Sequence, residues 1–347
     1  ERDIPPLKTV VLESDGGHGP YAVRGILGPR KEDQSSEAGE GAARNALISM
    51  PLATGLIVVF AIAYGVTLGF REAATAQFPN LIEANQSVWN TLTQYTSVMQ
   101  DVGKGNRGQT VKFIDFDNPE NNEFLCTNQF TVSGVNQNII PDIILFVNGL
   151  PLAVIECKSP YITNPMESGI DQLMRYANRR TPQDNEGAEK LFHYNQLMVS
   201  THRDKARVGT ITARMEHFLE WKDPYPLKVN EVGENPQSQD VLITGMFDKT
   251  NFLDLIQNFT VFEPVDGRTV KKIARYQQFR AVHKSIERIK SGTDRKSKSG
   301  VIWHTQGSGK SIVMVLLAKW ILENDPNGRV VILTDRDELD KQIKGVF

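Results

Sequence analysis

Two apolar runs joined by an Asn-Gly pair constrain the fold of this chain more than any other feature. The runs cover residues 142–147 and 152–158, and residues 148–151 between them read Asn-Gly-Leu-Pro. Asn-Gly between two such runs is a strong signal for a β-hairpin. Each run carries charge at its far end, at Asp142, Glu156 and Lys158. Because a buried strand has little reason to place charges there, the pattern predicts a hairpin that carries a site.

The register of this hairpin decides whether the charges can meet. Side chains two residues apart on a strand share a face, so Glu156 and Lys158 point the same way and Cys157 points to the core. A two-residue loop would pair Asp142 with Ile155 and turn the aspartate away from Glu156. A three-residue loop would set Asp142 opposite Glu156, since one residue of slip reverses every side chain. A working site therefore requires an odd-length loop or a bulge.

Two carboxylates and a lysine are residue types that metal-dependent phosphodiester cleavage needs. Asp142 and Glu156 can hold Mg²⁺, a hard cation that prefers oxygen ligands and keeps several waters. The metal stabilises charge on the scissile phosphate and activates a bound water. Lys158 can orient that water or stabilise the developing negative charge. The pattern is short, however, and taken alone it favours a surface salt-bridge pair.

A helix is predicted directly after the hairpin, near residues 165–179. Residues 164–167 read Asn-Pro-Met-Glu, which resembles an N-cap, a proline at the first helical position and a capping-box acid. Gln172 and Tyr176 are four residues apart and share one helix face. They can reach the site or a DNA backbone. The alternative is a solvated glutamine beside a half-buried tyrosine.

A second constellation, residues 304–311, reads His-Thr-Gln-Gly-Ser-Gly-Lys-Ser and resembles a Walker A loop. Two glycines let backbone N–H groups approach phosphate, Lys310 reaches the β- and γ-phosphates, and Ser311 can ligate Mg²⁺. Strands predicted near 300–304 and 329–334 flank a helix near 310–323, which is the βαβ pattern of a parallel sheet. The predicted ATP-binding residues of the loop are Thr305, Gly307, Ser308, Gly309, Lys310 and Ser311.

The residues around both constellations resemble one family, the motor subunits of type I restriction enzymes. The similar segments are residues 140–158, 113–119 (Phe-Ile-Asp-Phe-Asp-Asn-Pro) and 220–224 (Glu-Trp-Lys-Asp-Pro). Gln172 and Tyr176 match the Gln-x-x-x-Tyr motif that accompanies this family's catalytic residues. The resemblance covers the chain from about residue 70 to its end. It implies a restriction-endonuclease-like core of mixed sheet and flanking helices, followed by the start of a RecA-like parallel α/β helicase motor domain.

The resemblance also implies a function. The chain would be the ATP-dependent, type I site-specific deoxyribonuclease subunit, which cleaves double-stranded DNA with Mg²⁺ and couples cleavage to translocation. Its partners would be the methylation and specificity subunits. Residues 275–281 resemble the adenine-reading glutamine motif of superfamily 2 motors, and Gln-x-x-Ala spacing favours Gln278 over Gln277 as the reader of ATP. Residues 334–336 (Thr-Asp-Arg) resemble a motif that touches the DNA track.

Composition shifts divide the chain into five parts. Residues 1–45 are rich in Gly, Pro, Ser and charge and are predicted to be poorly ordered. Residues 46–70 hold no charge, which makes them a candidate membrane span, a buried helix or a start foreign to the enzyme. The nuclease domain is placed at 71–250, a connection at 251–268, and the first part of the motor at 269–347. No Walker B motif precedes Phe347, so the motor is expected to be incomplete and unable to hydrolyse ATP.

Global composition excludes several classes of protein. The net charge of −2 does not indicate a nucleic-acid binder, so DNA contact would need a local basic surface such as residues 268–298. Two cysteines without metal-ligand spacing argue against a disulfide scaffold and a zinc site, and favour the cytoplasm. Two alternatives remain open. One is a translocating helicase-like ATPase with an inert nuclease-like docking domain, and the other is a protein tethered to a membrane through 46–70.

Overall fold

A computed structural model describes residues 12–13, 22–23, 80–94, 96–101, 106–180, 185–265, 267–305 and 307–333. The predicted apolar segment 46–70 and the Thr-Asp-Arg motif at 334–336 lie outside these residues, as does nearly all of 1–45. Among the helices of the described residues, none has the length and apolar character needed to cross a membrane.

The strands of the described residues form one central sheet and four two-stranded ladders. In the central sheet the order is β11-β10-β9-β8-β5, with β9 and β10 parallel and the other neighbours antiparallel. The predicted mixed sheet is therefore confirmed. The strand bounds are β1 Leu12–Glu13, β2 Ala22–Val23, β3 Thr96–Asp101, β4 Asn106–Val111, β5 Phe124–Asn128, β6 Val132–Ser133, β7 Asn138–Ile139, β8 Ile143–Val147, β9 Leu150–Cys157, β10 Leu197–His202, β11 Lys205–Gly209, β12 Thr260–Val265 and β13 Arg268–Ile273.

The helices cover both faces of the central sheet. Ile144, Val154 and Met198 belong to the apolar cluster on the face that carries α2. Val199, the residue after Met198, belongs to the cluster on the other face, as alternation along a strand requires. The helix bounds are α1 Leu81–Thr93, α2 Pro165–Tyr176, α3 Glu189–Tyr194, α4 Val229–Val232, α5 Ser238–Val241, α6 Lys249–Asn258, α7 Tyr276–Ser291, α8 Arg295–Lys298 and α9 Lys310–Asn324.

The β8–β9 hairpin has a two-residue turn and a bulge. Asn148 and Gly149 both have positive φ, 50° and 79°, as the favoured hairpin turns of Asn-Gly require. The pairing passes from Phe146 opposite Pro151 to Leu145 opposite Ala153, so one extra residue of β9 is accommodated between them. Beyond the bulge Ile143 pairs with Ile155, and the next residues outward, Asp142 and Glu156, lie opposite each other. Of the two possibilities in the sequence, the bulge is the one realised.

Helix α2 begins at Pro165, as predicted, but its cap differs from the prediction. Asn164 has a left-handed backbone with φ 49°, and its side chain makes no capping hydrogen bond. Asn164 is the N-cap residue, as predicted, but the expected side-chain capping bond does not form, since a side-chain cap typically has an extended backbone at this position. Glu167 instead lies 4.0 Å from the Arg207 guanidinium on the neighbouring strand β11.

The segment predicted to connect two domains is folded. Residues 251–268 contribute most of α6, all of β12 and the first residue of β13. Phe252 and Leu255 of α6 share one apolar cluster with Leu152 of β9, Phe279 of α7 and Leu316 of α9. The short apolar run Val-Leu-Ile-Thr at residues 241–244 predicts a strand from the sequence, and this prediction is wrong because the run is helical. The carboxylate of Asp240 accepts a hydrogen bond from the backbone N–H of Gln237 and starts a helical turn there.

We call the Walker A-like loop of residues 304–311 the phosphate loop. The parallel sheet predicted around it does not form in the described part of the chain. Helix α9 covers the predicted 310–323, but residues 300–305 and 329–333 are not strands. Val301, Trp303, Val331 and Leu333 are each more than 80% exposed. Strands of a parallel sheet are paired along their edges and covered on both faces, and no described element pairs with these residues.

Candidate active site

A close contact between α2 and the central sheet builds one wall of the site. Ser200 of β10 pairs with Glu156 of β9, and its hydroxyl donates to the Met166 carbonyl at 3.0 Å. Gly169 lies against this serine, and a Cβ at position 169 would be 2.2 Å from the Ser200 Oγ. A glycine in the middle of the helix therefore allows α2 to approach the sheet.

The structure brings Asp142, Glu156 and Lys158 together at the end of the hairpin. Lys158 Nζ donates to Glu156 Oε1 at 2.7 Å, and both side chains are largely buried. Asp142 Oδ2 accepts from the Cys157 backbone N–H at 2.8 Å, and its Oδ1 accepts from Gln129 Nε2 at 2.9 Å. A pair with side-chain exposures of 15% and 3% is not the exposed surface salt bridge that was the alternative.

Glu156 is the most perturbed carboxyl group of the site. Its pKa is raised to about 7, first by burial and then by the neighbouring Asp142 carboxylate, while Lys158 opposes both effects. Its Oε2 is buried without a hydrogen-bond partner among the described residues. An ionised oxygen in such a place needs a cation or a proton, so the site offers Glu156 Oε2 as a ligand position.

Gln172 and Tyr176 continue the site on α2. Gln172 Oε1 accepts from Lys158 Nζ, and Gln172 Nε2 donates to the Tyr176 hydroxyl at 2.5 Å. That hydroxyl in turn donates to the Ile140 carbonyl at 3.3 Å, two residues before Asp142. Tyr176 is buried, which raises the pKa of its phenol. The pair therefore faces the site and links Lys158 to the start of β8, unlike the alternative in which Gln172 is solvated.

The oxygen donors of the site fit Mg²⁺. Within the described residues no group of three or more His, Cys, Asp or Glu side chains is placed to hold a metal, so the site provides two carboxylates. Mg²⁺ is commonly bound through one or two carboxylates while waters and substrate phosphates complete its shell. Glu156 Oε2, which is buried without a hydrogen-bond partner among the described residues, lies beside Asp142 and matches that need.

The phosphate loop has the backbone expected of an anion-binding turn. Gly307 and Gly309 have φ of 76° and 80°, a left-handed conformation that glycine adopts without strain. Helix α9 begins at Lys310 as predicted. Lys310 Nζ donates to the carbonyls of His304 and Thr305 at 3.1 and 3.0 Å, so its charge lies over the loop. Ser308 Oγ donates to the Thr305 carbonyl, and Ser311 follows Lys310 in the first turn.

Gln278 lies at the phosphate loop, but its carboxamide is engaged within the protein. Its Nε2 donates to the Ser308 carbonyl at 2.9 Å, and its Oε1 accepts from the Arg275 N–H at 2.8 Å. A Cβ at Gly309 would be 2.3 Å from this Nε2. Reading adenine would require these bonds to break. The neighbouring Gln277 has a buried Oε1 that lacks a partner among the described residues.

Three residues of the site were missed from the sequence. Gly169 carries a detectable signal, because a glycine within a strong helix pattern usually has a packing reason. Ser200 looks like any strand residue, and Gln129 follows β5 without any motif. Their roles come from the parallel β9–β10 pairing and the antiparallel β5–β8 pairing, which the sequence does not specify.

Comparison with known proteins identifies the family of the chain. Residues 56–217 match the family described as type I restriction enzyme R protein N terminus, and residues 277–347 match the SWI2/SNF2 ATPase family. The type I restriction enzyme HindI endonuclease subunit of Haemophilus influenzae is 33% identical over 288 residues, which cover 80% of this chain and 26% of the relative.

Two further relatives come from other lineages. A Methanocaldococcus jannaschii protein that carries the name MjaIXP endonuclease subunit of a type I restriction enzyme is 33% identical over 68% of this chain and 24% of its own length. The SsaAORF53P endonuclease subunit of Staphylococcus saprophyticus is 26% identical over 68% of this chain and 23% of its own length. The chain spans about a quarter of the length of the curated relatives it matches.

Proposed function

Because this chain belongs to the type I restriction enzyme R protein family through residues 56–217, we propose that it contributes the DNA-cleaving site of such an enzyme. The observation that carries the proposal is the meeting of Asp142, Glu156 and Lys158 beside a buried, unpartnered carboxylate oxygen. The nuclease domain would comprise residues 71–250 and have a restriction-endonuclease-like core.

The chemistry follows from the positions of these side chains. Asp142 and Glu156 would hold Mg²⁺, which when bound stabilises charge on the scissile phosphate and lowers the pKa of a bound water. Lys158 Nζ lies 2.7 Å from Glu156 Oε1, so it would stand beside the metal and donate to the attacking water or to the phosphate oxygen. Gln172 accepts from the same ammonium and keeps it directed at the site.

The match to SWI2/SNF2 ATPases over residues 277–347 supports a nucleotide-binding role for the second part of the chain. We propose that residues 269–347 begin a superfamily 2 motor of RecA-like fold, connected through 251–268. The loop from Thr305 to Ser311 would bind the phosphates of ATP, with Lys310 as the cation and Ser311 as a ligand of the nucleotide's Mg²⁺. In that arrangement Gln278 is the proposed adenine reader.

The partners follow from the named relatives, which are subunits of type I restriction enzymes. The proposed substrate is double-stranded DNA, and the proposed complex contains methylation and specificity subunits. Cleavage would be coupled to ATP-driven translocation in that complex.

The proposal is tested by cleavage of plasmid DNA with the complete enzyme that contains this chain. Glu156→Ala and Lys158→Ala should each lower cleavage below detection while the circular dichroism spectrum stays unchanged, because these side chains serve the chemistry. Lys222→Ala, at an exposed lysine outside the site, is the matched control and should cleave normally. Full cleavage by both site variants would favour the inert docking domain instead.

A further inference from the structure

The geometry around Asp142 points to Gln129 as a positioning residue, an inference that rests on the proposed metal-dependent cleavage. Asp142 lies just before β8, at the end of the hairpin, and its side chain is only partly buried. A partly exposed aspartate keeps rotational freedom that a metal ligand must lose on binding. Hydrogen-bond donors are therefore needed to hold the Asp142 carboxylate toward Glu156.

Two donors hold the Asp142 carboxylate from opposite sides. The Cys157 backbone N–H donates to Oδ2 at 2.8 Å, and Gln129 Nε2 donates to Oδ1 at 2.9 Å. With one bond on each oxygen, the carboxylate cannot rotate without losing a hydrogen bond. Each oxygen still has a second lone-pair site for a cation, since an ionised aspartate offers about four. The amide donor is neutral, so it orients the carboxylate and leaves its negative charge for the metal.

Gln129 is itself fixed by the strand that precedes it. It follows Asn128, the last residue of β5, and its backbone N–H donates to the Asp142 carbonyl at 3.0 Å. Its own φ is 52°, a left-handed conformation. The next residue, Phe130, packs edge-on against Phe146 of β8 with ring centroids 5.6 Å apart. The end of β5 is thus tied to β8 through main chain and side chains, which aims the amide at Asp142.

The contrast with Glu156 shows what this arrangement does. Glu156 is held by burial and by Lys158, and its Oε2 has no partner among the described residues. The Asp142 side chain is more exposed to solvent than that of Glu156, and it is held by hydrogen bonds. Partners behind a metal ligand commonly change metal affinity or activity by 10- to 100-fold when they are removed.

The test is Mn²⁺ binding to the 347-residue chain, measured by the electron paramagnetic resonance signal of free Mn²⁺. Gln129→Met keeps the length of the side chain but removes the donor. It should weaken Mn²⁺ binding by about 10-fold or more, with an unchanged melting temperature in the absence of metal. Gln237→Met is the matched control, because Gln237 is also exposed and its amide donates to the Asn235 carbonyl, outside the site. It should bind Mn²⁺ like the wild type.

The variant Asp142→Asn distinguishes failure of the proposed metal site from failure of the proposed role of Gln129. If Asp142→Asn weakens Mn²⁺ binding and Gln129→Met does not, the role of Gln129 is wrong and the metal site stands. If Asp142→Asn binds Mn²⁺ as tightly as the wild type, the proposed metal site itself is wrong. Should Gln129→Met lower the melting temperature, Gln129→Ala removes the same donor without the bulk, and the same loss of Mn²⁺ affinity is expected of it.

Discussion

At the scale of single residues, the Glu156 carboxyl group is both buried and close to a second carboxylate, that of Asp142. The Glu156 side chain is 3% exposed, and Asp142 adds repulsion to the cost of desolvation. Lys158 at 2.7 Å offsets part of this cost but does not cancel it, because the pKa of Glu156 remains near 7. The folded chain without metal therefore binds a proton at this position over a pH range in which the unfolded chain does not.

This proton makes stability depend on pH in a defined direction. The pKa of Glu156 rises from 4.5 to about 7 on folding, so the contribution of Glu156 to stability is fully present below pH 4.5 and is lost as the pH rises from there through 7. Glu156→Gln removes the charge. It should raise the free energy of unfolding by about 3 kcal/mol at pH 8 and leave it nearly unchanged at pH 4, when measured by urea denaturation in EDTA.

The matched control for this experiment is Glu216→Gln, at an exposed position outside the site. It should not reproduce the gain at pH 8. Equal stabilities of the wild type and Glu156→Gln at pH 8 would mean that Glu156 is ionised at no cost in the folded state. The assignment of Oε2 as a ligand position for a cation would then lose its support.

At the scale of elements, the site depends on how closely α2 lies on β10. Gly169→Ala would place a methyl group 2.2 Å from Ser200 Oγ, so the helix has to move outward. We expect a loss of about 1–3 kcal/mol in the free energy of unfolding. We also expect a loss of DNA cleavage greater than the fraction of unfolded protein explains, because Gln172 moves with the helix. Gly233→Ala, where no atom lies within 4 Å of the added Cβ, is the control.

A second substitution tests the cause. Combining Gly169→Ala with Ser200→Ala removes the clashing hydroxyl and should recover part of the stability and cleavage. No recovery would indicate that the loss arises elsewhere, for example in the backbone of α2 itself.

The elements also show what the sequence can and cannot predict. The hairpin follows from Asn148 and Gly149, and the start of α2 follows from Pro165, because both are local steric effects. The face of the sheet to which the Asp142 side chain points depends on one bulged residue of β9. No local sequence rule predicts the position of that bulge. The failed strand at 241–244 and the unformed strands around the phosphate loop share a cause, since strand formation depends on neighbours that a local pattern does not contain.

At the scale of the whole molecule, a buried lysine joins the two parts of the chain. Lys271 of β13 is fully buried, and its Nζ donates to Asn85 Oδ1 at 2.8 Å, Gln196 Oε1 at 2.6 Å and the Asn195 carbonyl at 3.4 Å. Asn85 lies on α1, and Asn195 and Gln196 lie just before β10. The hairpin that leads to α7 and the phosphate loop is thus attached to the central sheet by one polar network.

Replacing this lysine should therefore weaken the whole chain. Lys271→Met leaves the oxygens of Asn85 and Gln196 buried without a donor, and each such group costs about 1–3 kcal/mol. Burial also holds the pKa of Lys271 well below its ordinary value, so the stability of the wild type should rise as the pH increases toward 10. Lys271→Met should lack that rise, and it should melt at a lower temperature at pH 10, where deprotonating Lys271 costs the wild type little and the lost hydrogen bonds decide the difference.

The neighbouring Lys272 supplies the control. It forms a partly exposed ion pair with Glu263 at 2.6 Å, and such pairs contribute about 1 kcal/mol or less. Lys272→Met should therefore change the melting temperature little.

Because one apolar cluster contains Leu152 of the sheet and Leu316 of α9, the wild type should unfold in a single transition by tryptophan fluorescence and by circular dichroism. If Lys271→Met keeps wild-type stability at pH 10, then the apolar cluster alone attaches the hairpin, and the polar network does not contribute to the attachment.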